Sequence, residues 1–139
     1  MESKVLKLQR IVKGDNDTQM TKEQEFEVRY SLRNIIWLER KVGKPIGSFF
    51  NDDMKDGHAS LDHLFTFVMA GLAHKEQGIK DLDHLIDLID EHASIGDNQI
   101  EDIIEVCMDA METSSVFKAP DEEEVLPGKA EEVEDEKKP

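Results

Sequence analysis

The stretch that decides the fold is SLDHLFTFVMAGLA, Ser60 to Ala73, the most apolar segment of the chain. Leu61, Leu64, Phe65, Val68 and Leu72 recur at the i, i+3, i+4, i+7 and i+11 spacing that lines one face of an α-helix. Phe67, Met69 and Ala70 lie off that stripe, so the helix is apolar most of the way round and is expected to be covered on more than one side. It reads as the centre of a helical core. Ser60 supplies an N-cap hydroxyl for the first turn, and Gly71 and Gly78 mark the exit. The run falls short of the roughly 20 apolar residues a membrane span needs.

Further helices are expected on both sides. Downstream, Asp81 caps a helix over residues 81–93 that bears Leu82, Leu85, Ile86 and Ile89, and Asp97 caps another over 97–112 that bears Ile100, Ile103, Ile104, Cys107 and Met111. Upstream, KPIGSFFNDDMKDGHA carries Ile46, Phe49 and Phe50, which reads as a helical turn that drops aromatics into the core before a polar loop at residues 51–58. Before it, Ser31 caps a helix over residues 31–42 whose inner face is expected to be Leu32, Ile35, Ile36 and Val42, with Gly43 and Pro45 as its stop.

Ahead of the helices the periodicity changes. In EFEVRY, Phe26, Val28 and Tyr30 alternate with Glu25, Glu27 and Arg29, the period of a half-buried strand. KVLKLQRIV, residues 4–12, reads two ways: Leu6, Leu8 and Val12 share a strand face, and Val5, Leu8, Ile11 and Val12 share a helix face. With turn formers between the two segments, a small hairpin over residues 4–30 is expected, marginal alone and held by packing on helices. The expected fold is therefore mainly α: a compact bundle of about four helices with a small N-terminal β-hairpin, over residues 1–116. Residues 117–139 carry nine Asp and Glu against four Lys, with three Pro, and read as a disordered acidic tail.

The formal net charge of −15 excludes a nucleic-acid binder and an anionic membrane as partners, and leaves neutral or basic ones. A single cysteine, Cys107, allows no internal disulfide, and with no signal sequence a reducing cytoplasm is the simplest location. No cofactor is implied. Asp15, Asp17 and Gln19 have a faint calcium-loop look, but Met20 and Phe26 stand where that loop needs Gly and a bidentate Glu. His63 and His84 lie amid helix-surface charge with no zinc spacing, and Cys107 continues an apolar stripe, which makes an inert thiol the expectation. Gly43-Lys44 lacks the rest of a phosphate loop. Asp81, Asp83, Asp87, Asp90 and Glu91 form either solvated surface or a docking face for a basic partner. Trp37, off the main stripe of its helix, is either extra core contact or a sticky patch.

Two stretches carry a resemblance. FEVRYSLRNIIWLERKVGKPIGSFF, Phe26 to Phe50, followed by SLDHLFTFVMAGLAHKEQGIKDLDHLIDLIDE, Ser60 to Glu91, resembles the tail assembly chaperones of long-tailed bacteriophages and the related gene-transfer-agent proteins. The shared shape is a strand, a helix ending in LERKVG, a bulky pair at Phe49 and Phe50, and an apolar helix ending in AGLAH. The resemblance implies a non-enzymatic helper, made from a phage or prophage in the bacterial cytoplasm, that coats the tape-measure protein and is absent from the finished particle. It also implies a longer frameshifted form that recruits tail-tube protein; Gly128-Lys129 is a pair that a slippery run can encode, though the codons are not visible in a protein sequence. Trp37, Phe49, Phe50 and Met69 are the candidate contacts with the partner or with a second copy in a homo-oligomer. Two other classes compete: an acidic helical adaptor or regulator of a basic cytoplasmic partner, and a small metal-dependent enzyme using the His and Asp residues.

Overall fold

The computed structural model describes residues 3–15 and 18–117. The expected acidic tail beyond Phe117, with Gly128 and Lys129, lies outside the described residues, as does Asp17 of the calcium-like loop.

Strand β1, Lys4–Lys13, pairs antiparallel with β2, Gln19–Val28, with Leu6 opposite Phe26 and Lys4 opposite Val28. Residues 4–12 are therefore strand, and the alternation picks the buried face: Leu6, Leu8, Phe26, Val28 and, just past the strand, Tyr30. Five helices follow: α1 at Leu32–Val42, α2 at Ile46–Ser48, α3 at Leu61–Leu72, α4 at Leu82–Ala93 and α5 at Ile100–Glu112, with a π-helical turn at Phe49–Met54 between α2 and α3.

The expected bundle of about four helices with a small hairpin is thus corrected to five helices and a two-stranded sheet that share one core. The hairpin forms a layer of that core, with β1 against α4 and α5 and β2 against α3 and α5. The physical reason is length: ten-residue strands, apolar along the inner half of one face, are unstable until that face is covered. Polar groups fasten the strand edges, which would otherwise offer unpaired N–H and C=O groups. The Gln9 N–H donates to His92 Nδ1 at 2.9 Å, and the Ile11 N–H donates to the Glu91 carboxylate, which Arg10 also grips. On the other edge Gln77 Oε1 accepts the Glu27 N–H at 2.7 Å, while Gln77 Nε2 and His74 Nε2 donate to the Glu27 carbonyl.

Helix α3 sits at the centre, touching α1, α4, α5 and β2. Around its wholly buried Phe67 gather Tyr30, stacked at 5.0 Å between ring centroids, Phe50 at 6.2 Å and Phe49 at 6.3 Å. The Tyr30 hydroxyl donates to the Phe67 carbonyl at 2.7 Å. Gly71, expected at the helix exit, lies inside α3; a Cβ there would stand 2.7 Å from Tyr30 Cζ, so the absence of a side chain is what admits the ring. The last carbonyls of α3, orphaned by helix geometry, are taken by the preceding segment and the following loop. Arg29 N–H donates to Gly71 O at 2.8 Å, Asn34 Nδ2 to Ala70 O at 3.0 Å and Gln77 Nε2 to Leu72 O at 2.9 Å.

The caps expected at Ser31, Ser60 and Asp81 form, each side chain accepting the N–H three residues on. Asp97 does not cap α5: that helix begins at Ile100 after Gln99, with no side-chain cap bond. Gly43 ends α1 in the left-handed conformation, φ 75°, returning its N–H to Glu39 O.

Candidate functional site

Helix α1 carries two apolar stripes. Ile35, Leu38 and Val42, at i, i+3 and i+7, are buried. Leu32 and Ile36, at i and i+4, are 56% and 40% exposed, which corrects their expected place on the inner face. Periodicity alone permits either stripe to face the core. The choice is made at the N-terminus of the helix, where the Arg29–Gly71 and Asn34–Ala70 hydrogen bonds fix its rotation against the end of α3.

The two helices run antiparallel. Asn34 in the first turn of α1 reaches Ala70 near the end of α3, and Lys41 near the end of α1 shares a groove with Asp62 in the first turn of α3. That groove, about 400 Å³, is lined by Trp37 and Lys41 of α1, Asp62, Thr66 and Met69 of α3, and Asp81 and Leu82 at the start of α4. Trp37 is half-buried at its rim, with Lys41 Nζ 5.7 Å from its ring centroid. On the other side of Trp37 a shallow depression of about 470 Å³ is lined by Leu32, Arg33, Ile36 and Arg40. Trp37 lines both hollows, and so joins the mostly apolar depression at Leu32 and Ile36 to a groove of mixed polarity that holds Met69.

Of the four contacts expected from the sequence, the fold brings Trp37 and Met69 together on this surface. Phe49 and Phe50 are wholly buried and offer a partner nothing. The π-helical turn explains this: its i to i+5 bond, Lys55 N–H to Phe50 O at 3.0 Å, widens the coil and turns both rings and Met54 inward. Phe50 meets Phe117 at 4.9 Å, and Phe49 meets the His63 ring edge-on at 6.0 Å. Leu32, Ile36 and Leu82 are the surface residues that sequence reasoning missed. The signal for Leu32 and Ile36 is the second stripe on α1, interleaved with Arg33 and Arg40.

The other chemical candidates are occupied structurally. Burial pushes the Cys107 thiol up to about 12, beside a Tyr30 hydroxyl that burial also raises. His84 Nδ1 accepts the Lys80 N–H at 3.0 Å. In the acidic group, Asp81 caps α4 and Glu91 clasps β1, which leaves Asp83, Asp87 and Asp90 exposed on α4. Among the described residues no group of three or more His, Cys, Asp or Glu is placed to hold a metal, and no helix is long and apolar enough to cross a membrane.

No family model, curated protein or solved structure matches this chain.

Proposed function

We propose that this chain is a tail assembly chaperone of the long-tailed phage and gene-transfer-agent type, a non-catalytic protein that binds the tape-measure protein in the bacterial cytoplasm and holds it soluble until tail-tube subunits polymerise around it. One observation carries the reading: Leu32 and Ile36, inside the stretch that resembles those chaperones, are exposed beside half-buried Trp37, an apolar patch that the fold leaves uncovered. A tape-measure protein exposes long amphipathic helices, and an amphipathic helix laid in an apolar groove is a recurrent way of binding such a segment. The net charge of −15 then keeps the coated assembly dispersed by self-repulsion. On the same resemblance, a longer frameshifted form brings in the tail-tube protein.

Co-expression with the long helical tape-measure product of the same gene cluster tests this. The account predicts a soluble tape-measure protein that co-purifies with the chain; an insoluble one with no complex contradicts it. A second reading, an acidic adaptor for a basic partner, rests on exposed Asp83, Asp87 and Asp90 of α4. It predicts a complex that weakens steeply with salt and survives loss of the α1 surface.

A further inference from the structure

The chain carries 32 acidic against 17 basic residues, yet residues 29–44 reverse the balance: Arg29, Arg33, Arg40, Lys41 and Lys44 stand against Glu39 alone, a local net of +4. Glu39 is engaged, its carboxylate accepting the Ile46 N–H at 2.8 Å. Lys44 is engaged too, on Asp53 at 2.7 Å. Arg33 and Arg40 enter no ion pair among the described residues. Both line the depression with Leu32, Ile36 and Trp37. On a helix of 100° per residue they project between the Leu32–Ile36 pair on one side and Trp37 on the other. Seven residues apart, they stand about 10 Å from each other along the axis.

We infer that the outer face of α1 is a receptor for an amphipathic helix whose apolar stripe is bordered by carboxylates one heptad apart, which meet Arg33 and Arg40 while its apolar side chains cover Leu32, Ile36 and Trp37. The inference rests on the binding reading above and adds the chemistry of the partner. Charge complementarity chooses this occupant. A basic helix would set its cations against two arginines that form no ion pair among the described residues. A second copy docking through the same helix would bring Arg33 and Arg40 onto their own counterparts, a like-charge juxtaposition. Guanidinium groups also suit the task, because their planar fork grips a carboxylate in two bonds and sheds water more readily than an ammonium.

Trp37 is the only tryptophan in the chain, so its fluorescence reports occupancy of this face directly. The test titrates the full chain with two synthetic Trp-free amphipathic helices of about three heptads, identical except that one carries Glu and the other Lys at two stripe-flanking positions seven apart. Two exposed ion pairs predict about tenfold tighter binding of the Glu peptide at low salt, with the difference shrinking as salt rises. Arg33→Glu/Arg40→Glu reverses the preference; should that variant fail to fold, Arg33→Gln/Arg40→Gln abolishes it. Equal affinities, a preference for Lys, or a preference that survives the substitutions overturns the inference. So does Trp37 emission that shifts with chain concentration alone, which would mean a second copy occupies the face. The two readings fail separately. A chain that solubilises the tape-measure protein without favouring the Glu peptide refutes the acidic-border inference alone, and one that favours it without solubilising the tape-measure protein refutes the chaperone reading alone.

Discussion

Helices α1 and α3 lie side by side, α3 much the more apolar of the two, and they use their apolar residues differently. In α3 Leu61, expected on the inner stripe, stands 66% exposed in the first turn, but the side chains from Phe65 to Leu72 are buried except for half-buried Met69, and its last carbonyls are bonded to Arg29, Asn34 and Gln77. In α1 one stripe is sunk against α3 and the other, Leu32 and Ile36, is left in solvent next to Trp37. The first arrangement is what stability selects. The second stabilises the folded chain little and, on the binding reading proposed above, is the surface a partner covers.

Substitutions can break or sharpen this contrast. The largest effect belongs to Phe67→Ala, which empties the site where three other aromatic rings meet. A loss of about 3–5 kcal/mol in urea unfolding is expected from the transferred area plus the cavity. Gly71→Ala comes next. Alanine favours a helix interior by about 1 kcal/mol, but its Cβ would overlap a Tyr30 ring held by stacking on Phe67 and by a hydrogen bond to its carbonyl. Overpacking of that kind costs about 1–3 kcal/mol, so net destabilisation is expected, and a rise in unfolding midpoint would refute the close packing of Tyr30.

The seam between β1 and α4 is intermediate, closed by polar bonds. His92 is buried, its Nδ1 accepts the Gln9 N–H, and burial holds its pKa below the ordinary value against the opposing pull of Asp102. The ring is therefore neutral when folded and takes up a proton more readily when unfolded. Stability from this group is complete above the unfolded pKa, about 6.5, and falls as pH drops through it. Melting temperatures between pH 7.5 and 5.5 should show a shallow decline that His92→Gln flattens. Glu27, held at about 2 by hydrogen bonds from Lys75 and Ser3, and Glu91, lowered by the Ile11 N–H, act in a separate window. Their contribution is present above about 4.5 and is lost as the solution is acidified further. The smallest stability effect belongs to Leu32→Ser and Ile36→Ser, within about 0.5 kcal/mol, because neither side chain leaves a buried site.

Much of this architecture was legible residue by residue. Alternation in Phe26, Val28 and Tyr30 marked the strand, and Ser31, Ser60 and Asp81 marked three helix starts, because caps and period-two burial are local. What was not legible depends on distant partners. That the hairpin needs a helical cover was legible, but which helices supply it was not, and the role of Gly71 exists only with Tyr30 across from it. Residues 46–50 read as a turn that drops aromatics into the core, and Phe49 and Phe50 are buried there; what the π-helical turn removes is their second expected role, as contacts with a partner. Half of the site was visible in Trp37 and Met69. The other half, Leu32 and Ile36, was hidden because a helix with two apolar stripes does not declare which one faces out.

The central claim, that α1 keeps its second stripe outside for a partner, is tested most directly by co-expressing Leu32→Ser/Ile36→Ser chain with the tape-measure protein and measuring the soluble, co-purifying fraction beside the variant's own melting temperature. The account predicts an unchanged melting temperature and a tape-measure protein as insoluble as when expressed alone. Full solubilisation by a variant that is equally stable would contradict it.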